Sequence, residues 1–415
     1  MTPFHPFSSP AAIALLSGLL AAGSLRAQQT WIVDQQGSGQ FLDIGAAVAA
    51  ASDGDVILVR QGNYPPFVVD GKSLTIHGAR VQQGALGPST APPTVEIKNL
   101  AAHQRVHLTE LLAFNSTTPN ANVFVHDCAG SVWIENAFSD SYGAPGLVIA
   151  RCADVVLASV RSQSNLGIVQ ASGAPLAFPG ARLIASTVHA YDCQFSGTHG
   201  VLQGPQFPLP SSQVVGGAGL DVVDSHIEVR GGDLIGGAGN GVTVGSCVLG
   251  GNGGDGLLMR TIGGSPPRVD LGDIAVQGGS PGVSSCGPTP QAGGTFVVVA
   301  GSLNFLPGTR RELALEHVVL ATPATLRADV TGMPGDLALV FAGRAAPTAF
   351  AIGLPIHLGS PAFGLGAVVL DGSGAGSLAV PVAAASGPIV IGLQALVLDG
   401  SAAAYPSNPA TLILP

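Results

Sequence analysis

The most reactive grouping this sequence offers is His189, Tyr191 and Asp221. A histidine beside a carboxylate can serve as general acid or base near neutral pH. A second set, Phe124, His126 and Trp133, could form a substrate-binding wall, because an exposed indole stacks its apolar face on a sugar ring while its edge donates. All six serve chemistry only if the chain presents them outward. If the strands beginning at Thr187 and Gly219 are neighbours, His189 and Asp221 sit about one ladder spacing, roughly 4.8 Å, apart. The same positions also describe an ordinary solvated sheet face carrying an incidental ion pair, and the chain's poverty in other catalytic groups favours that reading. Aromatic residues make up 5% of the chain, thin for a polysaccharide platform. A loop covering Trp133 fits better than an open one.

Metal chemistry has weaker support. Residues 216–224 and 250–258 match the G-G-x-G-x-D-x-U-x pattern, in which carboxylates and carbonyls from successive turns surround Ca²⁺. The two copies are not in tandem, and Asp221 and Asp255 occupy different places in the strand frame described next. Chance matching in a chain with 59 glycines explains them better, so no cofactor is expected, calcium included. None of the five cysteines stands in a CxxC pair, which removes support for zinc.

The elements that must position these residues recur along the chain. Five segments share one frame: Asn122-Val-Phe-Val-His-Asp-Cys128, Gly146-Leu-Val-Ile-Ala-Arg-Cys152, Thr187-Val-His-Ala-Tyr-Asp-Cys193, Gly219-Leu-Asp-Val-Val-Asp-Ser225 and Gly241-Val-Thr-Val-Gly-Ser-Cys247. Each has apolar residues at its second and fourth positions and ends in Cys or Ser. A second short alternating strand follows: Val132-Trp-Ile134, Val155-Val-Leu157, Ile227-Glu-Val229 and Val269-Asp-Leu271. This describes a chain wound into coils whose strands pair above and below, with alternate side chains stacked inward. Glu228 and Asp270 then fall farther along the outward column of Trp133. The Cys/Ser column reads as a tight bend, its cysteines as packed thiols, although adjacent coils would also bring Cys128 and Cys152 towards disulfide range. The frame restarts at Gly256 too soon after Gly241 for a full coil, so a short coil or a false match lies there. Pro- and Gly-rich insertions at 173–180 and 204–210 would overhang one face.

The front end closes the coil at its start. Residues 31–64 run WIVDQQGSGQFLDIGAAVAAASDGDVILVRQGNY, a strand and Gly-rich turn before a short apolar helix, Ile44–Ala51, and then a strand from Val56. Such a helix plugs an end that would otherwise expose core and strand edges. The pattern V-D-x-x-G-S-G-x-F-x-D-I-x-A-A-V-x-A-A, then D-G-D-V-I-x-V-x-x-G-x-Y, resembles the opening of the pectate-lyase-like superfamily. That resemblance implies a right-handed parallel β-helix and polysaccharide lyase or glycosidase chemistry. The catalytic marks of those enzymes are missing: Asn240 stands where a glycosidase histidine would be, and no N-T-D segment, D-D pair or Arg within an acidic cluster accompanies it.

Composition and flanks bound the rest. Charged residues are only 10% of 415, with net charge −9 and two lysines, Lys72 and Lys98, which excludes nucleic acid as a partner. Residues 11–25 form an apolar run of signal-peptide length, with cleavage placed after Ala27, and no later stretch is long enough to span a bilayer. Beyond residue 301 short strands without the coil frame (325–330, 337–341, 368–370, 377–380, 389–398 and 411–414) predict an antiparallel β-sandwich. The sequon at Asn115 reads as a loop signal. The expected organisation is a signal peptide (1–27), a right-handed parallel β-helix (30–300) and a C-terminal β-sandwich (301–415), all-β apart from the capping helix. The expected role is a secreted or cell-surface noncatalytic body, binding or structural, whose candidate partners are a polysaccharide or a cell-surface component. The rival is a divergent lyase or glycosidase acting on an acidic polysaccharide through His189, Tyr191 and Asp221.

Overall fold

The computed structural model describes residues 28–78, 80–82, 93–115, 121–166, 168–169, 175–199, 215–244, 247–285, 289–306, 312–318, 324–343, 345–351, 354–358, 362–382 and 389–414. The expected signal peptide, the 204–210 overhang, Cys286 and the end of the sequon lie outside these residues. A parallel β-helix is followed by an antiparallel β-sandwich.

Each coil contributes strands to three parallel sheets. The first stacks Phe67–Asp70, Val95–Lys98, the first part of Val123–Glu135, the first part of Leu147–Ala158, Ala181–Ile184, Leu220–Val223, Leu257–Arg260 and Phe296–Val298. The second runs from Thr30–Val33 through Asp55–Val59, Leu74–His77 and Arg105–Thr109, then through later parts of the same long strands, to Arg268–Gly272 and Ser302–Phe305. The third includes Leu112–Asn115, Phe138–Tyr142, Arg161–Leu166 and Ala275–Gln277. Like residues stack inward. Ile57, Ile76, Leu108, Ile134, Leu157, Ala190, Val229 and Leu271 form one such column, each almost wholly buried.

Two corners of the coil, after the first-sheet and second-sheet strands, are built alike. The residues that end the first-sheet strands are followed by Asn99, Asp127, Arg151, Ala185 and Asp224, all with φ between 47° and 57°. The second corner repeats the device at Glu110, Asn136, Ser159, Asp192 and Asp273, with φ between 48° and 56°. A left-handed non-glycine residue costs about 1–2 kcal/mol, which the stacked strands on either side must outweigh. Where the next residue is Cys or Ser, its side chain folds back onto the carbonyl two positions upstream. Ser186 Oγ donates to Ile184 O at 2.8 Å, Ser225 Oγ to Val223 O at 2.7 Å and Cys193 Sγ to Tyr191 O at 3.3 Å. Small side chains with a donor fit this place, which accounts for the Cys/Ser column.

That shared corner corrects the frame. The Asn122, Gly146 and Gly219 segments stack in the first sheet, but the Thr187 segment belongs to the second, pairing Val188 with Val155 and Ile227. Its place in the first sheet is taken by Ala181–Ile184, whose flanks Gly180 and Ser186 fit the same frame. The Gly241 segment is an antiparallel hairpin with Cys247–Gly250, and the strand after Gly256 is the true coil member. Cys128 and Cys152 are register partners, and together with Cys193 they are buried free thiols.

The glycine motifs have a packing reason. Extended segments hand one hydrogen bond to the next, Gly237 N to Gly217 O (2.8 Å), Gly254 N to Gly237 O (2.7 Å) and Gly279 N to Gly254 O (2.7 Å). A Cβ on Gly237 would stand 1.7 Å from Thr198 O, and one on Gly254 2.0 Å from Gly217 O, so only glycine allows this approach. The helix Ile44–Ala50 covers the opening of the first coils, burying Ile44, Ala47 and Val48. Asp43 Oδ1 caps its start, accepting from Ala46 N at 2.7 Å, and Lys72 Nζ donates to the carbonyls of Val48, Ala49 and Ala51 at its end.

In the sandwich, Glu312–Val318, Ala324–Thr331 and Ala375–Val382 form one sheet. Leu337–Gly343, Phe363–Val369, Ile389–Leu398, Ala404–Pro406 and Ala410–Leu414 form the other. Leu326, Val330, Val340, Leu393 and Val397 are among the side chains that fill the space between. A separate hairpin, Ala345–Ala351 with Leu354–Leu358, reaches out of the sandwich to the β-helix.

Candidate functional site

The second sheet turns two adjacent columns outward. One reads Thr75, His107, Trp133, Val156, His189, Glu228, Asp270 and Asn304 in unbroken register. The other reads His77, Thr109, Glu135, Ala158, Tyr191 and Arg230. The expected alignment of Trp133 with Glu228 and Asp270 is therefore present. The middle of this face is covered: Trp133 is 4% exposed, His189 and Tyr191 2% each. What covers them is the C-terminal module.

His357, from the hairpin, sits in a cage of three aromatic rings. Its ring centroid lies 5.4 Å from Tyr191, 5.4 Å from His189 and 5.9 Å from Trp133, each pair steeply inclined. The hydrogen bonds around it have a determined direction. Asp154 accepts from Thr348 N at 3.1 Å and from Thr348 Oγ1 at 2.7 Å. With its proton committed, Thr348 Oγ1 accepts from His357 Nδ1–H at 3.0 Å. Nε2 then carries the lone pair and accepts the Tyr191 hydroxyl at 2.6 Å. Gln394 completes the setting by accepting His357 N at 3.0 Å. Burial drives the His357 ring well below the usual histidine range, His189 adding to the effect, and pushes the Tyr191 phenol well above its ordinary value. A neutral imidazole and a neutral phenol are what this dry site holds.

A second polar contact lies two coils nearer the N-terminus. Glu135 Oε1 accepts Thr411 N at 2.9 Å, and its Oε2 accepts the Thr411 hydroxyl. His107 Nε2 stands 3.0 Å from that hydroxyl and 3.2 Å from Glu135 Oε2. Trp133 Nε1 and His107 Nδ1 find no hydrogen-bond partner among the described residues.

The sequence-predicted residues thus separate into two places. His189 and Tyr191 share the seam with Trp133, as buried contacts where open, outward groups were expected. Asp221 is elsewhere. It faces out from the first sheet, in register with Arg182 and Leu258, and accepts from Arg182 Nε at 2.8 Å and from Arg260 Nε and Nη2 at 2.9 and 2.8 Å. His189 instead stands beside Glu228, its Nδ1 3.8 Å from Oε2. Burial would raise the Glu228 carboxyl, but His189 and Arg230 outweigh it and hold it low. Phe124 and His126 lie on the first sheet too, half-buried and stacked at 4.2 Å, with His126 between Glu96 (2.9 Å) and Asp127 (2.7 Å). They form no common wall with Trp133.

Asp154, Thr348, His357, Glu135 and Thr411 were not singled out from sequence. Glu135 and His107 carry a readable signal, because each falls on an outward column position beside Trp133. Nothing local marks His357, which is 166 residues from Tyr191. Beyond the module the outward column continues into a partly open patch, where Asp270 accepts from Asn304 Nδ2 (2.6 Å), Arg268 Nε (2.9 Å) and His226 Nε2 (3.0 Å). A cleft of about 620 Å³ at the last coils is lined by Asp192, Asp233, Asp273, Ile274, Phe296 and Phe305 and contains none of the six predicted residues. Among the described residues no group of three or more His, Cys, Asp or Glu is arranged to hold a metal. Asp221 is taken by its two arginines and Asp255 Oδ1 accepts Gly294 N at 2.8 Å, so both glycine motifs spend their aspartates within the fold. No described helix is long and apolar enough to cross a membrane. No protein-family profile matches the chain, and no curated protein matches it.

Proposed function

We propose that this chain is an exported, noncatalytic β-helix body that works outside the cell as a rigid binding or spacing element for a polysaccharide or a cell-surface component. The observation that carries this reading is the Asp154–Thr348–His357–Tyr191 chain, in which the most reactive groups of the second-sheet face are used in holding two domains together. A phenol whose proton is already accepted, in a site closed to water, lacks the access a substrate requires. The apolar run at 11–25 supports export, and the opening pattern at 31–64 supports kinship with the pectate-lyase-like superfamily, a resemblance of fold that does not dictate chemistry. The rival lyase or glycosidase needed His189 and Asp221 within reach of one another, and they face out from different sheets.

The test is incubation of the purified protein with a panel of acidic polysaccharides, with and without Ca²⁺. Retention of the protein on one or more immobilised polysaccharides, without unsaturated or new reducing ends, is the expected result. Product formation that scales with protein concentration would overturn the noncatalytic assignment.

A further inference from the structure

The seam between β-helix and sandwich is held by a ring that must stay neutral. We propose that it is an acid-sensitive latch: protonation of His357 releases the C-terminal module from the second-sheet face and uncovers Trp133, His189 and Tyr191.

The geometry already uses both nitrogens of the ring. Nδ1–H is spent on Thr348 Oγ1, and Nε2 is occupied as an acceptor by the Tyr191 hydroxyl at 2.6 Å. A proton on Nε2 sets two donors against each other and forces the Tyr191 hydroxyl to turn, away from the partner it has. The surroundings offer an imidazolium little compensation. From the β-helix, Trp133, His189 and Tyr191 face the ring, and Asp154, Glu228 and Arg230 are the charged groups behind them. Of these, Asp154 reaches the ring only through the Thr348 hydroxyl, while Glu228 is engaged with Arg230 and stands beside His189. From the module itself come Thr348 and Gln394, both uncharged. The second contact, Thr411 on Glu135 and His107, adds a carboxyl and a histidine to the same seam.

The sign follows from linkage. Released into water, His357 takes a proton near the ordinary histidine value of about 6.5, whereas the docked ring resists it. The undocked state therefore binds more protons below that value. Docking is at full strength above it and weakens as pH falls through it, by up to about tenfold in the docked-to-undocked ratio per pH unit until the docked ring also titrates.

Trp133 reports the event directly, because the only other tryptophan is Trp31. In a Trp31→Phe background, acrylamide quenching of Trp133 is followed between about pH 8 and about pH 5, with far-UV circular dichroism recorded in parallel. The expected result is a severalfold rise in quenching as pH falls below about 6.5, with the β signal retained. His357→Gln, neutral throughout and able to donate and accept through its amide, is expected to keep quenching low over the whole range. Tyr191→Phe loses only the hydroxyl and is expected to move release to higher pH. Quenching that stays flat with pH, or release at an unchanged pH in both variants, would overturn the latch.

Discussion

The first and second sheets present outward faces of the same strand geometry and opposite fates. On the first, Asp221 bridges Arg182 and Arg260, Arg151 pairs with Asp127, and Glu96 holds Lys98 and His126, so the face satisfies itself with ion pairs. On the second, Trp133, Val156 and Tyr191 form an apolar patch, and a domain from the other end of the chain covers it. Alternation decides only that a side chain leaves the coil interior. Whether it then meets water depends on what else packs there. A face rich in paired charges is costly to cover because its arginines, partly exposed at Arg151, Arg182 and Arg260, would lose their water, whereas a Trp, Val and Tyr patch gains roughly 25 cal/mol per Å² when it is removed from water.

Substitutions at matched outward positions should break this contrast if it is wrong. The largest effect is expected at Trp133, where truncation to alanine empties the seam and costs about 3–5 kcal/mol in thermal or denaturant unfolding. Phe124→Ala, at the neighbouring outward position on the first sheet, should cost well under half of that, and equal losses would remove the distinction between the faces. Next is His357→Ala, which strands the Tyr191 hydroxyl and should destabilise the protein by about 1–3 kcal/mol, seen as a lower unfolding midpoint and faster cleavage between the domains by a protease. Asp221→Asn leaves two partly exposed arginines sharing a neutral amide. With solvent screening at each guanidinium the loss should be about 1–2 kcal/mol, and it should shrink in high salt. The smallest change is expected for Arg151→Ala, below about 0.5 kcal/mol, because the pair with Asp127 is exposed at both ends. A larger loss there would show the first-sheet face to be covered as well.

Alternation alone places Trp133, His189 and Glu228 outward, and the register agrees. The misplacement of the Thr187 strand has a definite origin. Both corners use a left-handed residue, followed by Cys or Ser in four of the five first-corner cases and by Cys at Asp192-Cys193 of the second, so that corner reads like Asp127-Cys128 at the first. Once that strand is moved by one sheet, His189 gains Glu228 and loses Asp221. The Gly216 and Gly250 motifs read in the sequence as chance matches to a calcium pattern, and the structure supplies the reason their glycines are there: carbonyl oxygens pack against their α-carbons.

What the amino-acid order determined by itself is the winding: period-two apolar positions, small residues at corners and an apolar helix at the start are local signals, and a coil is a local structure repeated. Only the tertiary structure decided which outward residues are hidden. Burial of Tyr191 depends on His357 and Thr348, far along the chain, and a hydrogen bond closed across that separation leaves no periodicity near either end.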